Sequence, residues 1–410
     1  MQLGTLVRLP QTVKSLQRLR EILAVVAKWG FGDLVTRLDL EGAVERTRNL
    51  VRWRRQRDPG LIDSAVEEVV RYTTEERIRQ AFEELGPTFV KLGQILATRP
   101  DLVPMSLVVE LRKLQDDVPP FDGVQARRQV EASLGRPIDA LFARFEERPL
   151  AAASIAQVHR ATLFGGGEVV VKVRRPNLEQ IVRTDLEIMR ALAALLEQNA
   201  PEVRQWSPVA IVEEFARALS REVDLGNEAY NLVRFAANFA GDPQVHVPQV
   251  HLDLSTDAVL VIEYIDGVKM SDLAGLERLG IDRKRLAAVG VEFCLKQVFE
   301  HGFFHADPHP GNLFVLPGEV IAPIDMGMMG VLEPEIVDAL LELLVGMLMR
   351  VADKIVKLLS RLRLIDERVE VPAMRRDVKE LIDRYWAVPI GEVDVAVLIG
   401  RLFEVLQRHH

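Results

Sequence analysis

The chain has 410 residues, a formal net charge of −8 and an ordinary globular composition, with 48% hydrophobic and 27% charged residues. This composition excludes a disordered, collagen-like or coiled-coil chain, and the single cysteine, Cys294, excludes an intrachain disulfide and a cysteine-based zinc site. Because Cys294 lies in an apolar run, we expect it to be a buried, unreactive thiol. The chain has no run of about 18 uncharged apolar residues and no recognisable secretory signal, which favours a cytoplasmic protein.

The spacing of apolar residues predicts mostly helix, with strands concentrated in the middle of the chain. Helices are predicted over 1–80, 75–98 with an interruption at Gly86 and Pro87, 105–115, 125–145 with a break at Gly135-Arg136-Pro137, 178–198, 209–240, 283–301 and after Glu333. Strands are predicted over 155–163, 168–173, 247–250, 258–264, 312–315 and 320–324. The glycines at 165–167 and the pair Pro317-Gly318 predict the turns of two hairpins.

Residues 1–60 form a basic arm, with 12 Arg and Lys against 6 Asp and Glu. Apolar residues recur at helical spacing over 13–26, and Arg52-Trp53-Arg54-Arg55-Gln56-Arg57 adds an aromatic ring among guanidinium groups. Such a segment suits an anionic membrane surface and would make the protein peripherally membrane-associated. The alternative is a helix that docks on the acidic remainder of its own chain. Nucleic acid is disfavoured as a partner, because the chain is acidic and shows no binding module.

The segment from Ala151 to Val158 has the spacing of the phosphate-covering loop G-x-G-x-x-G-x-V, with alanine at each glycine position. Lys172 follows three valines, as does the strand lysine that binds the α- and β-phosphates of a nucleotide. A lysine in so apolar a strand needs a partner, because burying an unpaired ammonium is costly. The predicted nucleotide contacts in this region are Ala151, Ala153, Ser154, Ala156, Val158 and Lys172.

A second motif, His305-Ala-Asp307-Pro-His-Pro-Gly-Asn312, matches the catalytic-loop pattern H-x-D-x-x-x-x-N, and Asp325-Met-Gly then stands in place of D-F-G. Phosphoryl transfer needs a carboxylate near the attacking oxygen, for which Asp307 is the candidate. It also needs oxygen ligands for Mg²⁺ on the phosphates, and Asn312 and Asp325 supply an amide and a carboxylate. The two motifs predict binding of ATP or ADP with Mg²⁺.

The predicted strand over 258–264 leads into the segment that we expect to contact the adenine ring. Backbone groups of Glu263 and Ile265 would bond the adenine edge, with Ile262 at the gatekeeper position.

The carboxylate partner of Lys172 is expected between residues 221 and 231, after an added helix. We assign Glu228 to this role and leave Glu222 and Asp224 as a further acidic pair. Spacing alone does not decide this choice, so Glu222 and Glu228 could exchange roles.

The alanine-rich loop, Lys91-Leu-Gly-Gln94 and Glu222-Val-Asp224 together resemble the UbiB/AarF family of atypical kinase-like proteins. The resemblance implies an α+β class and a bilobal protein-kinase-like fold, with a small antiparallel sheet in the N-lobe, a helical C-lobe and an added helical N-terminal extension. It implies four regions: a basic helical region over 1–80, the K-x-G-Q extension over 81–121, the N-lobe over 122–265 and the C-lobe over 266–410.

In that family the K-x-G-Q helix covers the place where a peptide substrate would bind. Lys91 and Gln94 lie three residues apart and share a helix face. The resemblance implies a regulatory ion pair between Lys91 and Glu222 or Asp224, while Gly93 permits the close approach of another backbone.

The resemblance implies a Mg²⁺-dependent ATPase, or a kinase for a small molecule or lipid, that supports isoprenoid quinone biosynthesis or membrane lipid homeostasis. Its partners would be quinone precursors or quinone-biosynthesis proteins. A protein substrate is not expected, because Ala306 replaces the arginine of H-R-D and no room for an activation loop follows Gly327. The alternatives are a non-catalytic nucleotide- and lipid-binding scaffold and a phosphotransferase of the aminoglycoside or choline kinase kind. Longer family members carry two further apolar helices, which leaves room for a native anchor beyond residue 410.

Overall fold

A computed structural model describes residues 13–32, 72–99, 102–114, 119–199, 204, 207–306, 308–349, 351–361, 365, 370–386, 401, 404–405 and 408. The chain divides into two compact units. Unit 1 comprises Met1–Ala236 and Pro248–Ile265, and unit 2 comprises Ala237–Val247 and Asp266–His410. The basic segment over 52–57 lies outside the described residues.

Unit 1 combines one antiparallel sheet with a layer of helices. Its helices are α1 (Val13–Val26), α2 (Thr74–Leu85), α3 (Pro87–Ala97), α4 (Met105–Leu111), α5 (Gly123–Leu134), α6 (Leu178–Asn199), α7 (Pro208–Val223) and α8 (Leu225–Asn238). Its strands are β1 (Arg144–Phe145), β2 (Ala151–Ala152), β3 (Ala156–Thr162), β4 (Glu168–Arg174) and β5 (Val259–Glu263).

The sheet has the order β1-β3-β4-β5, with β2 paired to the other part of β3. Side chains alternate across β4, so Val169, Val171 and Val173 enter the core while Lys172 lies on the opposite face. The register places Lys172 opposite Val158 on β3 and Leu260 on β5. The central position of β4 therefore holds the lysine on a strand that is paired on both sides.

Helix α1 docks on unit 1 through its apolar face. Leu19, Ile22 and Leu23 are buried in a cluster that also contains residues of α2, α3, α6 and α7. At its polar edge, Arg18 Nε donates to Asp185 Oδ1 at 2.7 Å, and the Asp185 side chain is almost fully buried. Of the two interpretations of the helix over 13–26, membrane binding or docking on its own chain, the structure shows the second for α1.

Unit 2 is mainly helical and holds two small antiparallel sheets. Its helices are α9 (Leu273–Arg278), α10 (Arg283–Leu295), which continues into a π-helical turn (Lys296–Glu300), α11 (Pro334–Leu348), α12 (Ala352–Arg361) and α13 (Val371–Trp386). Its strands are β6 (Val268–Lys269), β7 (Phe303–His305), β8 (Leu313–Leu316), β9 (Val320–Pro323) and β10 (Met329–Val331), in the orders β6-β8-β9 and β7-β10. No helix within the described residues is long and apolar enough to cross a membrane.

The α+β class is confirmed, as are the β3–β4 and β8–β9 hairpins. The break predicted at 135–137 in the helix over 125–145 is confirmed, and the α-helix predicted after it is wrong. Gly135 adopts a left-handed φ of 66°, which ends α5, and β1 occupies the last residues of the range. The predicted helix over 209–240 is two helices, because Asp224 leaves the helical region with φ −91° and ψ 101°.

The predicted strand over 247–250 does not form. A single bridge joins Val250 to Ile262, and Pro248 has no amide hydrogen to extend the pairing.

The prediction that Cys294 is buried is wrong, since its residue is exposed. Val291 and Leu295 on the same helix are also exposed. Apolar residues therefore occur on both the buried and the exposed faces of α10, so their positions in the sequence did not identify the buried face. Partial desolvation nevertheless raises the pKa of the Cys294 thiol, which disfavours the reactive thiolate.

Candidate functional site

Lys172 and Glu228 form an ion pair between β4 and α8 of unit 1. Lys172 Nζ donates to both carboxylate oxygens of Glu228 at 2.8 Å. The Glu228 side chain is only 4% exposed and the Lys172 side chain 20%. A buried carboxylate with a bidentate lysine contact holds that lysine in one place, which is the arrangement a phosphate-binding strand lysine requires.

The alanine-rich loop is a closed turn between β2 and β3. Ala151 pairs with Val158, and Ala153 N donates to Ala156 O at 2.8 Å. Inside the turn, Ser154 is 1% exposed and its hydroxyl has no hydrogen-bond partner within the described residues. The tip of the turn, Ile155, is buried in the helical cluster that includes α1, α3 and α6.

Arg175 holds this turn from behind. Its backbone N donates to Ile155 O at 2.8 Å, and its Nε donates to Ala153 O at 2.9 Å. Its second guanidinium nitrogen donates to Pro119 O at 3.0 Å. The turn is therefore fixed by contacts on both sides of its tip rather than by glycine freedom.

A buried polar pair fixes the strand that leaves the turn. Gln157 exchanges hydrogen bonds with the backbone of Phe121, accepting from its N at 3.0 Å and donating to its O at 3.2 Å. His159 Nδ1 lies 2.7 Å from Glu146 O, and its Nε2 lies 2.9 Å from Gln157 Nε2. Since a carbonyl oxygen only accepts, Nδ1 carries the proton and Nε2 accepts from Gln157. Burial lowers the pKa of His159, in agreement with a neutral ring.

The predicted adenine-edge residues lie at the end of β5. Glu263 N donates to Gln249 O at 2.9 Å, so this amide is already engaged within unit 1. Ile262 and Ile265 are both buried at this end of the strand. The residues are close in space to β4, because Val169 pairs with Glu263.

The K-x-G-Q helix is α3, and it is tied to α7. Lys91 Nζ lies 2.6 Å from Glu222 Oε1, with both side chains mostly buried. Asp224 is not the partner in this contact; its Oδ1 accepts from Gly226 N at 2.9 Å, at the start of α8. The expected alternatives for Lys91 are therefore reduced to Glu222.

The close approach predicted at Gly93 involves side chains rather than another backbone. A Cβ at this position would collide with Leu114 and Phe82. Gln94 Nε2 lies 3.5 Å from Leu114 O, at the limit of a hydrogen bond.

In unit 2, the β8–β9 hairpin brings Asn312 and Asp325 to the same end. Asn312 directly precedes β8, Asp325 follows β9 by two residues, and Ile324 N donates to Asn312 O at 3.0 Å. His305 Nε2 donates to Asp325 O at 2.7 Å. Asp307 lies outside the described residues, so its role stays a prediction.

The donor set at this hairpin end fits Mg²⁺. Asp325 and Asn312 would hold the ion through a carboxylate and an amide oxygen, the hard ligands that Mg²⁺ prefers. Gly327 N donates to Asp325 Oδ1 at 2.9 Å and orients the carboxylate. No three His, Cys, Asp or Glu side chains of the described residues group as metal ligands, so phosphate oxygens and water would complete the shell.

The segment after Asp325-Met-Gly has no activation loop. It forms β10, which pairs with β7 through Met329 and His305, and α11 begins at Pro334. Ala306 N donates to Met328 O at 2.9 Å and extends this pairing. The chain therefore returns to helix within a few residues of the predicted metal ligand.

Sequence reasoning missed several residues that support these positions. Gln157 and His159 lie two apart on one strand face, so strand alternation could have grouped them. Gln297 accepts from His305 N at 2.9 Å and thereby holds the histidine that bonds Asp325. No local pattern distinguishes Gln297 or Arg175 from other polar residues.

Comparisons with known proteins identify the family. A family model described as the ABC1 atypical kinase-like domain matches residues 113–359. A protein of Aliivibrio fischeri named probable protein kinase UbiB is 37% identical over 402 residues, which cover 97% of this chain and 72% of that protein. The chain belongs to the ABC1 atypical kinase-like family. A protein of Aeromonas hydrophila with the same name is also 37% identical over 402 residues, which cover 97% of this chain and 72% of that protein.

A solved structure agrees with the fold of this family member. The structure of the Rv3197–erythromycin complex from Mycobacterium tuberculosis matches with a TM-score of 0.52 and 24% identity, covering 84% of this chain and 92% of that one. The family model and the UbiB relatives confirm the UbiB-type resemblance, and together with this structure they confirm the bilobal kinase-like fold.

Proposed function

We propose that this ABC1-family chain is a Mg²⁺-dependent, ATP-binding protein that acts as an ATPase or as a kinase for a small molecule or lipid. The observation that carries the proposal is the Lys172–Glu228 ion pair, in which both glutamate oxygens accept from the lysine at 2.8 Å. An ion pair between a strand lysine and a helix glutamate is a requirement of kinase phosphoryl transfer. Lys172 would bind the α- and β-phosphates of ATP or ADP.

The end of the β8–β9 hairpin would supply the metal ligands. Mg²⁺ bound by Asp325 and Asn312 would neutralise the charge of the phosphates. His305, held by Gln297 and donating to Asp325 O, keeps this carboxylate residue in position. Asp307 would orient the attacking hydroxyl or water as the catalytic carboxylate.

We propose a non-protein substrate, although the relatives carry the name of protein kinases. The strand β10 occupies the stretch where an activation loop would lie, and Ala306 replaces the arginine that receives an activation-loop phosphate. The Lys91–Glu222 contact at 2.6 Å also ties the K-x-G-Q helix to α7, which supports its role as a cover over a peptide site. The resemblance to UbiB points to an isoprenoid quinone precursor or a membrane lipid as the acceptor.

Nucleotide affinity with and without magnesium tests the metal assignment. We expect Mg²⁺ to strengthen ATP binding in the wild type and Asp325→Asn to remove most of that gain, because the phosphates would face an inadequately neutralised site. Asp338→Asn, an exposed aspartate on α11, is the matched control and should behave like the wild type. Full magnesium dependence in Asp325→Asn would contradict the assignment.

Turnover distinguishes an enzyme from a scaffold. ATP hydrolysis and phosphorylated lipid or small-molecule products should be measured for the wild type and Asp307→Asn, with and without vesicles. Loss of turnover in Asp307→Asn supports an enzyme, whereas equal turnover in both favours the non-catalytic scaffold.

We also propose peripheral binding to an anionic membrane through the segment over 52–57, because the apolar face of α1 is already buried in unit 1. Each basic residue near the surface contributes about 1 kcal/mol, so replacing the four arginines by glutamine should weaken binding to anionic vesicles by several kcal/mol. Salt should weaken the wild-type binding in the same way. Vesicle binding indifferent to both changes would rule out this segment.

A further inference from the structure

A basic cavity lies behind the alanine turn of unit 1. It has a volume of about 500 Å³, at the corner where β4 leads into α6. Three arginines line it (Arg174, Arg175 and Arg183), together with three side-chain amides and one carboxylate, Glu179. A cavity of this size lies within the range of small-molecule sites, and its lining carries more positive than negative charge.

Two of the arginines are held rigidly by the protein. Arg174 is 8% exposed and donates to Asp257 Oδ2 at 3.0 Å, to Glu179 Oε2 at 3.5 Å and to Val223 O at 3.2 Å. Arg175 donates to the carbonyl oxygens of Ala153 and Pro119. Because these contacts fix both guanidinium groups, an incoming anion would meet positions that are already ordered.

The third arginine stands at the mouth of the cavity. Arg183 is exposed on α6 and forms no ion pair with any residue that the structure describes. Its side chain is thus available to close over a ligand. Burial lowers the pKa of Arg175, which indicates that the surroundings of that cation are poorly solvated.

We propose that this cavity binds a phosphate group, borne either by a soluble phosphomonoester or by a phospholipid headgroup. Arginine suits this ligand because its planar guanidinium donates two parallel hydrogen bonds to phosphate oxygens. The three amides around the arginines supply further hydrogen-bond donors for the remaining oxygens. Lys172 does not line this cavity and is paired with Glu228 on α8.

Inorganic phosphate is the first probe, titrated into the full chain by calorimetry in the presence of EDTA, so that phosphate held through a metal is excluded. We expect the wild type to bind phosphate and Arg183→Ala to bind it at least about tenfold more weakly, the worth of one charge-assisted hydrogen bond. Arg217→Ala, an exposed arginine on α7, is the matched control and should bind like the wild type. Arg183 is exposed, so its removal should leave the fold intact, which a thermal unfolding curve checks.

Vesicles distinguish the two sources of the phosphate. Binding to phosphatidylcholine vesicles containing phosphatidic acid, lost in Arg183→Ala and absent with phosphatidylcholine alone, would assign a lipid headgroup. Binding of inorganic phosphate without Arg183-dependent vesicle binding would assign a soluble phosphomonoester.

Absence of phosphate binding, or equal binding by Arg183→Ala and the wild type, would overturn the proposal. Equal binding by the two proteins would be expected if phosphate bound at Lys172 instead. This outcome would reject the cavity and leave the proposed nucleotide site intact.

Discussion

Two lysine–glutamate ion pairs of unit 1, Lys172–Glu228 and Lys91–Glu222, differ in the burial of their carboxylates. The Glu228 side chain is 4% exposed and accepts from Lys172 with both oxygens at 2.8 Å, whereas the Glu222 side chain is 13% exposed and lies 2.6 Å from Lys91 Nζ. The first pair joins the sheet to α8, and the second joins α3 to α7. We therefore expect that breaking the first pair costs more stability than breaking the second, because its carboxylate is more deeply buried.

Removing Lys172 should have the largest effect. Lys172→Met leaves a nearly buried carboxylate without its lysine, which costs about 3–5 kcal/mol in the free energy of unfolding. Denaturant unfolding measures this loss, and ATP affinity should fall with it, since the phosphate contact is removed.

The double variant Lys172→Met/Glu228→Leu separates the two effects. It removes both charges, so much of the stability should return while ATP affinity stays low. Recovery of ATP affinity in the double variant would mean that Lys172 acts only through the fold.

Removing Lys91 should have a smaller effect. Lys91→Met gives up a charge-assisted hydrogen bond to a carboxylate that is less deeply buried than Glu228, with an expected loss of about 1.5–3 kcal/mol in the same unfolding measurement. If this variant lost as much stability as Lys172→Met, burial of the carboxylate would not be what distinguishes the two pairs.

A third test concerns the alanine turn between β2 and β3, which we expect to cover the phosphates bound by Lys172. Ala153→Gly should favour ATP over ADP relative to the wild type by about 1 kcal/mol, because a glycine lets the backbone open over the γ-phosphate. Titration of both nucleotides with Mg²⁺ measures the ratio. An unchanged ratio, with only a slight loss of stability, would identify the turn as a tight strand connection remote from nucleotide.

The smallest effect concerns pH and the buried His159. The pKa of His159 is lowered in the fold from its ordinary value of 6.5. As the pH falls below about 6.5, His159 becomes protonated in the unfolded chain but stays neutral in the folded chain. The free energy of unfolding therefore decreases. The contribution of neutral His159 to stability is therefore fully present above about pH 6.5, and it is lost as the pH falls through the lower pKa of the folded state.

Denaturant unfolding between about pH 7.5 and 5.5 measures this slope. His159→Asn should flatten it, even though the variant is less stable at neutral pH. His251→Asn, on the segment before β5, is the control. An unchanged slope in His159→Asn would show that another group carries the acid sensitivity.

Local patterns predicted the parts of the site that lie within short stretches of chain. Three valines and a turn of glycines define the β3–β4 hairpin, because strand alternation and turn geometry act over a few residues. Asn312 and Asp325 are brought to one end by a hairpin of fixed length, so their proximity also follows from the sequence. Helix boundaries were less certain where a single residue such as Asp224 interrupts an otherwise apolar period.

The amino-acid sequence by itself determined the fold class, the hairpins and the order of the phosphate-binding motifs. Only the tertiary structure decided that Lys172 contacts Glu228, 56 residues away, while Glu222 contacts Lys91. It also decided that Arg175 holds the alanine turn and that Cys294 faces outward. The physical reason is range: turn and strand preferences act between neighbours, whereas the choice between two similar carboxylates depends on how separate helices pack against the sheet.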